Sequence, residues 1–172
     1  MDTTKLLKLT LFLSLATVLL TSCNDPIKSL VDSYSYTISG QATIDDTISI
    51  VLPNEKGAMQ IEKTSSDDKV LLTMNYYTGL NGGVYTTQAK VKDDKITLEP
   101  FTRTLSVTYT NTETELLVPV EKTYSENYDV EVSGTGVIYD ETIHFSLQYK
   151  GEGVSVDKQI ETSDILMVAK RN

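Results

Sequence analysis

Apolar and polar residues alternate in twos along most of the chain. From Tyr34 to Ile44, Tyr34, Tyr36, Ile38, Gly40, Ala42 and Ile44 share one parity, and Ser33, Ser35, Thr37, Ser39, Gln41 and Thr43 share the other. Side chains on a strand point to opposite faces in turn, so this pattern predicts a half-buried strand. The same period runs through Ile48–Leu52, Val70–Tyr76, Leu105–Tyr109, Tyr128–Val132 and Ile143–Tyr149, and more weakly through Val84–Val91, Ile96–Phe101 and Ile165–Ala169. The shared parity predicts a core containing Ile38, Ile50, Leu72, Val107, Val132, Phe145 and Leu147. No segment after Cys23 repeats with a helical period.

Turn chemistry separates these runs: Pro53–Gly57, Ser65–Asp68, Gly79–Gly83, Lys92–Lys95, Asn111–Glu115, Asp140–Glu141 and Gly151–Gly153. Glycine supplies positive φ, and Asn or Asp bonds its own backbone nearby. Turns every 8–15 residues or so predict a sandwich or barrel, and short connections favour antiparallel neighbours. The expectation is an all-β antiparallel meander closing into an up-and-down barrel, with a β-sandwich as the alternative. If the ring closes, Ile165–Ala169 must pair with an early strand. Ser39–Ile48 and Ser133–Ile143 echo each other as strand, acidic turn and strand, with Gly40, Gly134 and Gly136 on the apolar face.

The first 22 residues have a different texture. Lys5 and Lys8 precede an apolar stretch from Leu9 to Leu20. It is shorter than the roughly 20 residues a membrane-spanning helix needs. The pattern is that of a signal peptide. It ends in Leu20-Thr21-Ser22-Cys23, which resembles the bacterial lipobox. That resemblance implies cleavage before Cys23 and lipidation of Cys23, hence anchoring to a membrane of the cell envelope, with the outer membrane as the expected address. The division expected is signal peptide 1–22, a polar tether 23–32 and one domain 33–172.

Composition narrows the chemistry. Removing Lys5, Lys8 and Asp2 with the leader leaves 13 basic and 23 acidic residues, which argues against nucleic acid as a partner. One Cys and one His, His144, exclude multi-cysteine zinc sites and His-rich metal centres by counting. His144 lies on the polar face of its strand, and the acidic pairs Asp45-Asp46, Asp67-Asp68 and Asp93-Asp94 fall in turns. No catalytic residue, metal ligand or cofactor is therefore expected.

Ten Tyr and no Trp make tyrosine the side chain with a plausible binding use. Tyr36, Tyr76, Tyr109 and Tyr149 share parity with core residues. The expected ligand-binding set is these four with Gly134 and Gly136, whose missing side chains would leave room for a small pocket in an otherwise filled interior. Lipobox, short tether and β-meander together resemble the calycin-like lipoproteins of Bacteroidetes, small barrels shaped like lipocalins. The resemblance implies a non-catalytic role: binding a small apolar or glycan ligand, or else serving as an interaction or inhibitor module for an envelope protein with a filled barrel.

Overall fold

The computed structural model describes residues 26–78, 82–162 and 165–172. Cys23 and the expected signal peptide lie outside the described residues. Among the described residues the chain forms one short helix, α1 (Pro26–Leu30), and nine strands: β1 (Ser33–Ile44), β2 (Ile48–Lys63), β3 (Lys69–Thr78), β4 (Gly83–Lys92), β5 (Lys95–Glu115), β6 (Val118–Ile138), β7 (Thr142–Gly153), β8 (Gln159–Thr162) and β9 (Ile165–Arg171).

All strand pairings are antiparallel and sequential from β1 to β7. β8 and β9 both lie between β7 and β1. β8 pairs with Ala42–Ile44 and Lys150–Glu152, and β9 pairs with Tyr34–Ser39 and Thr142–Leu147. They act as one interrupted strand, and the hydrogen bonding returns on itself as a barrel-like ring. Ile165–Ala169 does pair with the first strand, as closure requires. The echoing segments are the β1–β2 and β6–β7 hairpins.

The alternation sorts residues as expected. Ile38, Leu72, Val107, Val132, Phe145 and Leu147 are buried, while Ile50 is half-buried near the β1–β2 turn. Tyr34, Tyr128, Tyr149 and Phe145 are the largest fully buried side chains.

The segment read as a polar tether is structured from Pro26 onward. Its single helical turn buries Ile27 and Leu30. The Tyr34 hydroxyl donates to the Leu30 carbonyl at 3.1 Å, and Arg171 donates to the Ser29 carbonyl. Two apolar residues three apart were too few to register as a period, yet they cover one end of the barrel.

Three expected turns lie inside or at the end of strands. Gly151–Gly153 completes β7, and the loop follows at 154–158. Asn111–Glu115 continues β5, and the chain reverses at Leu116-Leu117 instead. Its polar Thr, Asn and Glu residues form a solvated ribbon, which mimics loop composition. Pro53–Gly57 lies within β2, where a bulge opposes Pro53 and Asn54 to Ser39 alone. A second bulge in β5 opposes Glu99 and Pro100 to Ser133. A bulge adds one residue to a strand, so the inward parity switches. In β2 the inward set changes from Ile48, Ile50 and Leu52 to Glu55, Gly57, Met59 and Ile61; in β5 it changes from Ile96 and Leu98 to Arg103, Leu105, Val107 and Tyr109.

β5 and β6 outrun their neighbours. β4 bonds β5 only over Lys95–Leu98, and β7 bonds β6 only over Tyr128–Ile138. From the Ser106–Asn127 pair to the Glu115–Val118 pair the two strands pair with no other strand. Ten pairs at about 3.3 Å per residue make an arm roughly 30 Å long.

Candidate functional site

The four tyrosines singled out from the sequence fall into two places. Tyr36, Tyr76 and Tyr149 gather in the interior around a buried ion pair. Tyr109 sits at the base of the arm.

The interior centre depends on the two bulges. Glu55 and Arg103 are each 2% exposed. Arg103 donates from Nη1 to Glu55 Oε2 at 2.9 Å and from Nη2 to Oε1 at 2.8 Å, a bidentate pair. The guanidinium lies 3.9 Å from the centre of the Tyr76 ring and 5.5 Å from that of Tyr85. Tyr36 meets Tyr76 edge-on at 5.5 Å, Tyr85 meets Tyr76 in the same way, and Phe101 extends the series at 6.0 Å from Tyr85. Tyr36 and Tyr76 flank Gly57 from either side in register. A Cβ at Gly57 would fall 2.4 Å from the Tyr36 ring and 2.1 Å from the Asn75 carbonyl oxygen, so only glycine fits.

Electrostatically this centre is stiff. Burial, followed by the neighbouring Tyr76 and Glu55, holds the Tyr36 phenol far above its ordinary range. Burial pushes Tyr76 up to about 12 against the pull of Arg103, and burial raises Tyr149 well above normal. For Arg103, burial works against the charge, but the Glu55 hydrogen bonds outweigh it and keep the guanidinium protonated. The Tyr36 and Tyr149 hydroxyls are buried with no hydrogen-bond partner among the described residues.

The glycines do not open a pocket into this interior. A Cβ at Gly136 would lie 2.8 Å from Phe145 Cδ1 and 2.9 Å from Ile96 Cγ2. One at Gly134 would lie 2.5 Å from the Ser146 carbonyl oxygen and 2.7 Å from Leu147 Cδ2. Phe145, Ile96 and Leu147 take up the space the missing side chains leave. Gly134 instead borders an open depression of about 290 Å³ with Thr97, Ser146 and Gln148. Larger grooves, about 530 Å³ beside Thr43, Glu131 and Lys150 and about 720 Å³ beside Asp129 and Glu152, are likewise open. Among the described residues no group of three His, Cys, Asp or Glu side chains could hold a metal ion.

At the base of the arm, Glu126 accepts from the Tyr109 hydroxyl at 2.8 Å, the Tyr128 hydroxyl at 2.6 Å and Lys158 Nζ at 2.9 Å. Lys158 also donates to the Tyr109 oxygen at 2.5 Å. Partial burial opposes the Glu126 charge, but these three donors prevail and hold its carboxyl below the usual range. The Lys158 ammonium is raised, first by Tyr109 and then by Glu126. Tyr109 and Tyr124 stack at 5.4 Å, and Lys158 reaches over the Tyr124 ring at 4.8 Å. The cluster fixes the arm to the 154–158 loop, where Val154 N–H also donates to the Asn127 carbonyl at 2.8 Å.

Further out the arm is held by cross-strand pairs on a ribbon with no sheet beside it. Thr108 meets Ser125, Thr110 meets Thr123, Tyr124 donates to Glu113, and Lys122 bridges Glu113 at 2.9 Å and also Glu115. The tip is a two-residue turn with Leu116 at φ 46° and Leu117 at φ 70°. Such turns favour Asn-Gly because both central residues have positive φ. The left-handed conformation costs an ordinary side chain roughly 1–2 kcal/mol per residue. Both leucines are almost wholly exposed, at 98% and 94%, and Val118 beside them is 58% exposed. Sequence reasoning passed over Leu116-Leu117 because Asn111–Glu115 reads as a turn and the next alternating run begins only at Tyr128.

No family model, curated protein or solved structure matches the chain.

Proposed function

We propose that this chain is a lipid-anchored cell-envelope protein with a non-catalytic role, in which the barrel is a filled scaffold and recognition of an envelope protein takes place on its outside. The filled interior carries the reading. The space beside Gly134 and Gly136 is occupied by Leu147, Phe145 and Ile96, and the polar centre is closed on itself by Arg103 and Glu55. The arm supports it, since a long ribbon ending in exposed leucines is a surface built to meet something. Lipidation at Cys23 rests on the lipobox.

A second reading, a small ligand held inside, draws on the Tyr36 and Tyr149 hydroxyls, which have acceptor and donor capacity to spare. Thermal shift with fatty acids, sterols and oligosaccharides separates the two. A ligand at 100 times its dissociation constant adds roughly 2.7 kcal/mol of stability. The interaction reading expects no shift with any class; a clear shift that vanishes in Tyr149→Phe would replace it with the ligand reading. For the anchor, Cys23→Ser should abolish metabolic fatty-acid labelling and leave unprocessed precursor.

A further inference from the structure

The arm and the N-terminal segment leave the barrel at opposite ends. α1, the start of β1, the 93–94 and 139–141 turns and the end of β9 cluster at one end: Arg171 N–H bonds the Glu141 carbonyl, Asn172 N–H the Ser33 carbonyl and Ile138 N–H the Asp94 carbonyl. The 45–47 turn and the 154–158 loop lie at the other, tied by the Asp45 N–H bond to the Gln159 carbonyl. The arm projects from this second end. Two residues separate Cys23 from α1, so a lipid there would hold the α1 end within about 10 Å of the bilayer. The leucine tip then points away from that bilayer, and a lipid surface is the wrong partner for it.

The chemistry around the tip points to a protein. Glu113, Glu115 and Glu121 flank it, and the one cation within the 111–123 stretch, Lys122, already bridges Glu113 and Glu115. An acidic collar repels anionic headgroups and suits a basic rim. Leu116 and Leu117 also occupy a turn whose backbone favours Asn-Gly, so the side chains are kept against local preference. Resting on the interaction reading above, we infer that the β5–β6 arm is a docking probe: Leu116 and Leu117 enter an apolar pocket of a partner protein whose rim carries Lys or Arg facing Glu115 and Glu121.

The test uses the full-length chain in its own cells, with a photo-crosslinking amino acid at Val118 or, for comparison, at Glu131 or His144 on the outer wall. The Val118 probe is expected to join one protein through a peptide that carries Lys or Arg. Leu116→Asn with Leu117→Gly should cut that yield at least tenfold without lowering the melting temperature, because the replacement suits the turn. Glu115→Gln with Glu121→Gln should cut it about fivefold. Adducts to lipid or to a second copy, or a yield indifferent to the Asn-Gly change, would overturn the docking role. Adducts at Glu131 or His144 and none at Val118 would overturn the tip and leave the interaction reading standing. No protein adduct at any of the three would remove both.

Discussion

Glu55 and Arg103 meet in the interior because each lies just past a proline-containing bulge, two residues after Pro53 and three after Pro100. Without the bulges the parity of β2 and β5 would turn both side chains outward. The pair is enclosed by aromatic rings, so neither charge can fall back on water.

That enclosure makes the pair asymmetric to mutation. Glu55→Ala leaves a buried guanidinium without its carboxylate and should cost about 3–5 kcal/mol, whereas Glu55→Met with Arg103→Met should recover most of the loss. Urea unfolding of Glu55→Met, Arg103→Met and the double variant measures it. Additive losses in the double variant would mean that the two side chains act independently.

Tyr149→Phe should behave differently from most core substitutions. Its hydroxyl is buried with no hydrogen-bond partner among the described residues, so removing the oxygen should leave stability within about 1 kcal/mol of the parent or raise it. A loss beyond that, read from the same denaturation curves, would reveal a hydrogen bond to water or a ligand at the centre.

Phe145 and Gly136 should fail in opposite ways at one contact. Phe145 is wholly buried, and Phe145→Ala should cost about 3–5 kcal/mol by leaving a cavity. Gly136→Leu drives new atoms into Phe145 and Ile96 and should also destabilise, by roughly 1–3 kcal/mol for overpacking. Gly136→Leu at full stability would mean that the site is hollow.

Two windows of pH should expose the two tyrosine clusters. The raised phenols of Tyr36, Tyr76 and Tyr149 favour the neutral form in the folded chain. Their contribution is complete below the ordinary tyrosine value of about 10 and declines as pH climbs beyond it. Absorbance titration should find these phenols still protonated at pH 11, with stability falling from pH 10 upward. Glu126 is held low, so its contribution is complete above about pH 4.3 and declines as pH falls through its folded value. Amide protection along 106–127 should therefore fall in acid before protection in the barrel wall does. A uniform fall in protection across the chain would show that the arm is not a separate unit.

The wall was legible wherever alternation ran unbroken: β1, β3 and β7 match their patterns almost residue for residue, and the closing strand was visible in Ile165–Ala169. What stayed hidden were the changes of phase. Pro53–Gly57 carries every mark of a turn, and bulges differ from turns in pairing, which one strand does not reveal. Glu55 therefore falls in an expected turn, and Arg103 falls between two strand runs. The tyrosine set was half legible for a related reason. Parity put all four on inner faces, but height along the barrel separates Tyr109 from the others, and that depends on register between strands. Parity puts Gly134 and Gly136 on the inner face, but Leu147, Phe145 and Ile96 reach into the space they leave.

The ring is sealed by joining Tyr34 to Arg171, so the first and last strands of the wall are each other's neighbours. A growing chain cannot complete its barrel until nearly the whole of it has been made, and until then β1 and β7 each carry a row of unsatisfied amides. Pairing across such a sequence distance is slow. Removing Ile165–Arg171 would not trim an end but unlatch a cylinder, leaving two sticky edges. The shortened chain should be recovered as aggregate, whereas a peptide of those seven residues added during refolding could restore solubility by filling the slot.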